Sequence, residues 1–261
     1  MKNKIFNSIF IALTLFLTAV FLLLILSLFW GLKDNHSVSR LNFNEIFYAV
    51  KLSVFTATVS AVIAFLFSIP VSYYLARHDF PGKFFIDTLF DLTIVLSPVA
   101  VGAMILIFFN TPFGKMIENN ITGFVFEIRG IILAQFFIII GFSVKFLKNV
   151  FENVDQEYEN IARTLGANSF RVFTTITLPL SLKGIISTLL LIWAKAISEF
   201  GASITVAGAM TMKTETLPIA IFLSFENVDI YNAVVLILIL ITISLTILLV
   251  IKKILHWKRI I

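Results

Sequence analysis

EYENIARTLGANSFRVFTTITLP, Glu157 to Pro179, is a polar island in an oily chain. Hydrophobic residues make up 59% of the 261, charged residues only 13%, and mean hydropathy is +1.01. Soluble domains carry about twice this charge density. The implied solvent is the bilayer, and the question becomes why a membrane chain keeps a helix-forming segment with an acidic start and a glycine in its middle.

The residues around the island answer part of it. Val154, Tyr158, Ile161, Ala162 and Leu165 share one face of a helix, while Glu152, Asp155, Gln156, Glu159, Asn160 and Arg163 occupy the others. The acids lie early and Arg163 late, as the helix dipole prefers. Gly166 stands where a left-handed C-terminal residue belongs, and Asn168 or Ser169 is placed to cap a second helix. Pro179 predicts that this second helix stops near Leu178. Two readings remain open on periodicity alone. One is an interfacial amphipathic connector. The other is a rigid knuckle that seats in a partner's groove.

A membrane helix needs about 20 apolar residues. Six segments qualify: Ile5–Trp30, Ile46–Ala76, Phe85–Phe109, Gly130–Leu147, Leu182–Val206 and Tyr231–Ile251. They are too long for strands and do not alternate, so the expected fold is all-α and polytopic, with six transmembrane helices. The first segment exceeds the ~7–15 apolar residues of a signal peptide and no small-x-small site follows, so it is read as a retained span with a signal-anchor role. Lys and Arg outnumber by about two to one on the side that holds Lys2, Arg77, Lys145, Arg163, Lys183 and the dense Lys252 to Arg259 end. Both termini are expected in the cytoplasm, and the polar island with them. Lys33, Arg40, Lys51, Lys115, Arg129 and Lys213 fall outside, as do the triplets Asn35-His36-Ser37 and Asn120-Ile121-Thr122, which match the glycosylation pattern.

With its flanking spans and side of the membrane, the island resembles the cytoplasmic signature loop of permease subunits of binding-protein-dependent ABC importers. The family pattern reads E-A-A, three residues, Gly, about nine residues, then I-x-L-P. Ala162, Gly166, Ile176, Leu178 and Pro179 match it, while Asn160 and Ile161 stand in place of Glu and Ala and Glu159 supplies an acid one residue earlier. AKAISEFGASITVAG (Ala194–Gly208) and KTETLPIAIF (Lys213–Phe222) resemble molybdate and tungstate importer permeases, with sulfate permeases close behind. VLSPVAVG (Val95–Gly102) resembles their third conserved span, although the family often has two prolines where this chain has Ser97-Pro98. The resemblance runs from about Leu41 to the end. It divides the chain into a generic first helix with its outer loop (1–40) and a permease core of type I importer architecture (41–261), with a coupling segment at 150–179.

The resemblance implies a homodimer in the cytoplasmic membrane of a prokaryote, two cytoplasmic ATPase subunits and an extracytoplasmic substrate-binding protein, with no nucleic acid. It implies no cofactor in this chain, since ATP and magnesium belong to the ATPase. Glu159, Asn160, Ala162, Arg163, Gly166, Ala167 and Pro179 are the expected coupling residues.

Ionisable residues inside a span are functional candidates by default. Lys195 and Glu199 lie four apart in the fifth span, on one face, and can pair. That pair either stabilises packing or lines a hydrated path. Ser198, Gly201, Ala202 and Ser203 surround it, and Ser97, Pro98 and Gly102 of the third span complete the candidate pathway or gate. One Lys beside one Glu has no net charge with which to hold an oxyanion, so affinity is expected in the binding protein. Asp87 and Asp91, one turn apart, read as a packed or solvated membrane-edge pair.

Several chemistries are excluded. There is no cysteine and no phosphate-binding G-x-x-x-x-G-K-[ST] loop, and Gly82-Lys83 continues into Phe84. His36, His78 and His256 have no metal spacing, and serine-hydrolase and zinc-protease motifs are absent. The chain is therefore expected to be a transport subunit, not an enzyme. Its expected cargo is molybdate or tungstate, with sulfate or thiosulfate as the alternative. A stand-alone ion-coupled transporter, marked by internal repeats and helices broken at mid-membrane, is the rival from another class. A membrane enzyme and a helical scaffold are weaker rivals.

Overall fold

The computed structural model describes residues 2–32, 42–120 and 123–257. The division drawn at residue 40, the triplet at 35–37 and the bases beyond 257 lie outside them, as does part of the triplet at 120–122. Every regular element among the described residues is a helix. They run α1 (Lys2–Gly31), α2 (Phe43–Arg77), α3 (Lys83–Val95), α4 (Pro98–Asn110), α5 (Pro112–Asn120), α6 (Ile128–Glu152) and α7 (Gln156–Thr164). Then follow α8 (Ser169–Val172), a π-helical turn Phe173–Thr177, α9 (Leu178–Ile197), α10 (Gly201–Ala207), α11 (Leu217–Glu226) and α12 (Ile230–Trp257).

The core is built on α2 against α6. One face of α2 is a run of small side chains, Ser53, Ala57, Ser60, Ala61, Ala64 and Ser68, all buried. Small residues let helix backbones approach where hydrophobic drive between helices is lost to lipid. Two hydroxyls also bond across the seam. Ser60 Oγ lies 3.0 Å from both the Ile132 carbonyl and Gln135 Oε1, and Ser72 Oγ donates to the Val144 carbonyl at 3.0 Å. Phe55, Leu66 and Phe67 on the opposite face of α2 stay exposed, as a lipid-facing surface should. The apolar window of α1 has no buried residue, so this helix is a satellite of the bundle, touching α12.

Five helices are long and apolar enough to cross a membrane, and a sixth crossing exists if α3 and α4 count as one span. That third span, expected over Phe85–Phe109, is not one continuous helix. It bends by 112° between α3 and α4. Ser97 is extended (φ −65°, ψ 143°) and its Oγ accepts from the Ala100 amide at 3.2 Å, with Pro98 opening α4. A proline at the first helical position donates nothing the helix needs, so the chain restarts cleanly in a new direction.

The fifth span also differs from Leu182–Val206. Helix α9 ends at Ile197, Ser198 is its C-cap, and α10 is a separate helix. At the other end the expected stop at Leu178 does not occur. Residues Ser169–Ile197 form one 29-residue rod. Leu178 itself is helical (φ −61°, ψ −48°) despite preceding a proline. The physical reason is the wide turn at Phe173–Thr177. A proline lacks the amide for the preceding turn and its ring crowds the carbonyl there, and a π turn makes room for both.

Candidate functional site

The polar island folds as a knuckle with three locally determined joints. Asp155 Oδ1 accepts from the Glu157 amide at 3.0 Å and starts α7. Gly166 (φ +86°) ends it, with the Gly166 amide on the Arg163 carbonyl and the Ala167 amide on the Ala162 carbonyl, each 3.0 Å. Nothing would crowd a Cβ at Gly166, so the glycine is needed for its left-handed backbone and not for space. Asn168 Oδ1 then accepts from the Arg171 amide at 2.8 Å and caps α8.

The knuckle is inside out relative to its periodicity. Most of the apolar face stays off the protein: Val154 is buried, but Tyr158 and Ile161 are each 57% exposed and Leu165 83%. Buried instead is a charge, Glu159, with no exposed surface. Its carboxylate accepts from Arg77 Nε at 2.8 Å, Thr177 Oγ1 at 2.7 Å, Tyr73 Oη at 3.2 Å and Arg163 Nη2 at 3.2 Å. Arg77 Nη2 reaches on to the Val154 carbonyl at 2.9 Å. One acid thus ties α7 to the end of α2 and to the π turn. An ion pair this deep is costly to desolvate, and breaking it by removing one partner costs about 3–5 kcal/mol.

With its charge turned inward, the knuckle presents a groove of about 510 Å³ to the outside, lined by Tyr158, Ile161, Ala162, Leu165, Ile176 and Pro179 among others. Of the expected coupling residues, Ala162 and Pro179 line this groove. Asn160, Arg163, Gly166 and Ala167 stand on its α7 side, the Asn160 side chain accepting from Arg163 at 3.2 Å. Glu159 lies beneath it. Asp87 and Asp91 each meet a lysine of α6. Asp87 pairs with Lys148 at 2.7 Å and Asp91 with Lys145 at 2.6 Å, a two-rung link from α3 to α6.

The expected pathway residues gather at the two broken spans. A Cβ on Gly201 would lie 3.0 Å from Pro98, and one on Gly102 2.8 Å from Thr205 and 3.0 Å from the Ala202 backbone. So the break before α4 and the break before α10 touch each other, through glycines that leave no room for a side chain. Ser203 is buried in this crossing, Ser97 exposed beside it.

Lys195 and Glu199 do not form the expected pair. Because α9 has ended, Glu199 no longer follows Lys195 on one helical face. It turns into the protein, 3% exposed, and its Oε1 accepts from the Ala202 amide at 2.8 Å. It serves α10 as a capping group, in a place where an unsatisfied amide costs several kcal/mol. Lys195 remains on the open face of α9 with Ser198, its Nζ 5.7 Å from the centre of the Phe142 ring. Among the described residues no carboxylate lies within ion-pair distance of it. Nor does any group of three metal-binding side chains occur among them.

Sequence reasoning missed the roles of Arg77, Tyr73 and Thr177, and the buried Gln135. Arg77 counted only as flank charge. Its one signal was position: a guanidinium at the last turn of a span that ends beside an acidic knuckle.

Comparison with known proteins places these features. Residues 68–256 match the family profile described as binding-protein-dependent transport system inner membrane component. Among curated relatives, the molybdate/tungstate transport system permease protein WtpB of Methanocaldococcus jannaschii is 35% identical over 217 residues, covering 83% of this chain and 85% of that one. Its namesake in Thermococcus kodakarensis is 40% identical over 159 residues, 61% of this chain and 60% of the relative, so the match spans less than two thirds of that protein. The molybdenum transport system permease protein ModB of Escherichia coli K12 is 37% identical over 178 residues, 67% and 77% of the two chains. In fold, the chain is similar to one from a bacterial alginate ABC transporter crystallised with a ligand-bound periplasmic protein (TM-score 0.76, 17% identity, 96% and 95% covered). A chain of the MetNI methionine ABC transporter gives a TM-score of 0.66 at 14% identity, with 84% and 98% covered. The bend between α3 and α4 and the break before α10 thus belong to a chain whose overall fold is that of these transporter chains. This chain belongs to the binding-protein-dependent transport system inner membrane component family, as a multi-pass transport subunit and not a catalyst.

Proposed function

We propose that the protein is the permease half of an ATP-driven importer that carries molybdate or tungstate into the cell, working as a homodimer with two cytoplasmic ATPase subunits and an external binding protein. The observation that carries this reading is the knuckle, with its apolar face open and its acid clamped underneath. A helix that buries a carboxylate while exposing Tyr158, Ile161 and Leu165 is suited to hold a partner against those residues. The Glu159 clamp makes it stiff, so force on the knuckle reaches α2 and the Ser169–Ile197 rod directly.

In this mechanism both termini and the knuckle are cytoplasmic. ATP closes the paired ATPases and draws the two knuckles together. The rods rock, and the crossing of α4 with α10 opens outward to receive the anion. Hydrolysis resets it inward. Ser97, Pro98, Gly102, Ser198, Gly201 and Ser203 form the walls of the gate, and the external protein supplies most of the affinity. The choice of molybdate or tungstate over sulfate rests on the named relatives. Sulfate is the alternative, since the chloroplastic sulfate permease 2 of Chlamydomonas reinhardtii is 31% identical over 185 residues.

The test is purification from native membranes with identification of the bound ATPase and binding protein, followed by uptake of each anion into vesicles that hold the whole complex. ATP-dependent molybdate uptake is the expected result. Uptake by this chain alone under a proton or sodium gradient would overturn the proposal.

A further inference from the structure

Resting on the oxyanion reading above, we infer that Lys195 is the anion-holding residue of the pathway, two copies of it facing each other across the homodimer to cradle one tetrahedral dianion. Four observations lead there. First, the structure gives the two charges different surroundings, although Glu199 still feels the Lys195 charge. Glu199 is buried and committed to the Ala202 amide, whereas Lys195 is exposed. Second, no carboxylate among the described residues lies within ion-pair distance of the ammonium, which stands 5.7 Å from the centre of the Phe142 ring. A cation–π contact of this kind holds the ammonium weakly and leaves its donors able to bind an anion.

Third, a charge on a lipid-facing helix surface within the hydrocarbon is unfavourable, most at the bilayer centre and less toward its edge. The face with Lys195, Leu191 and Ser198 is therefore better suited to water or a partner than to lipid. Fourth, its height is right for a reception site. Lys195 lies 17 residues along the rod from Leu178, about 26 Å at the helical rise of 1.5 Å. Set with Leu178 at the inner edge of a core about 30 Å thick, it falls in the outer half. The gate glycines Gly201 and Gly102 are its neighbours through Ser198 and α10. One lysine per chain gives two positive charges per dimer, matching the charge of molybdate, tungstate or sulfate.

The absence of cysteine from this chain makes the test clean. The full complex, with ATPase and binding protein, is placed in vesicles and molybdate and sulfate uptake measured. Lys195→Met should slow uptake about tenfold or more, and Lys195→Arg should restore most of it, a loss of charge and not of shape. Lys195→Cys should be slow, regain uptake after reaction with aminoethyl methanethiosulfonate, which adds an ammonium, and stay slow after the sulfonatoethyl reagent, which adds a negative charge. Amounts of co-purifying ATPase report assembly separately. Wild-type uptake in Lys195→Met, or equal loss in the Met and Arg variants, would overturn the inference while leaving the importer reading intact. Failure of the cationic reagent to rescue Lys195→Cys would also overturn it. If the wild-type complex carries no tetrahedral oxyanion, the proposed cargo falls first and this inference with it.

Discussion

Glu159 and Glu199 are both buried acids, and the molecule uses them in opposite ways. Glu159 is surrounded by side-chain donors from three elements: Arg77 of α2, Arg163 of α7 and Thr177 of the π turn, with Tyr73 beside them. Glu199 serves backbone amides at the start of the next short helix, that of Ala202 at 2.8 Å. The first is a bolt that joins elements distant in sequence. The second is a local cap that lets a helix end inside the membrane. The lesson is that burial of a carboxylate does not itself mark a transport site. The partner of the acid decides whether it transmits force, terminates a helix or is available to cargo.

The sharpest way to break the comparison is to remove each acid. Glu159→Ala strands the buried Arg77 and should destabilise the cytoplasmic end by about 3–5 kcal/mol. It should lower the thermal midpoint and abolish co-purification of the ATPase. Replacing both ends of the pair with apolar residues (Arg77→Met with Glu159→Leu) should recover much of the folding loss. If Glu159→Ala melts and assembles like wild type, the bolt is no bolt. Glu199→Ala should cost less, about 1–2 kcal/mol for a lost cap. Glu199→Gln keeps an acceptor oxygen and should recover most of that stability. Equal damage from Gln and Ala would mean that charge, and not capping, is what matters there.

Smaller effects refine the picture. Gly166→Val forces a β-branched residue to φ +86° and should cost about 1–2 kcal/mol, with uptake uncoupled from ATP hydrolysis; Gly166→Asn should be milder. Since nothing crowds that position, any severe defect with Asn would point to a direct contact with the ATPase. The Lys145–Asp91 rung is half exposed on both sides, so Lys145→Ala should shift stability by no more than about 1 kcal/mol. A larger loss, read from the melting curve, would mean that this edge is covered in the assembly.

Much of this was legible in the chain. The apolar runs, the Asp155 and Asn168 caps, the Gly166 turn and the motif Ala162, Gly166, Ile176, Leu178, Pro179 are local features, and local features obey propensity, capping and hydropathy. The misreadings share one cause. A continuous third span, a stop at Leu178, a fifth span running to Val206 and a Lys195–Glu199 pair each assume that helical spacing or its usual breakers persist where the neighbours have changed the outcome. At Pro179 a π turn absorbed the clash, and at Ser198 the Glu199 cap let α9 end.

The sequence by itself determined a multi-helical membrane subunit with a capped polar knuckle, because bilayer thickness and the demand for satisfied backbone amides leave few other solutions. Only the tertiary structure decided which face of the knuckle stays open, which acid becomes a bolt and which lysine is left uncommitted. Those outcomes depend on Arg77 meeting Glu159 across 82 residues and Pro98 meeting Gly201, contacts that no periodicity encodes.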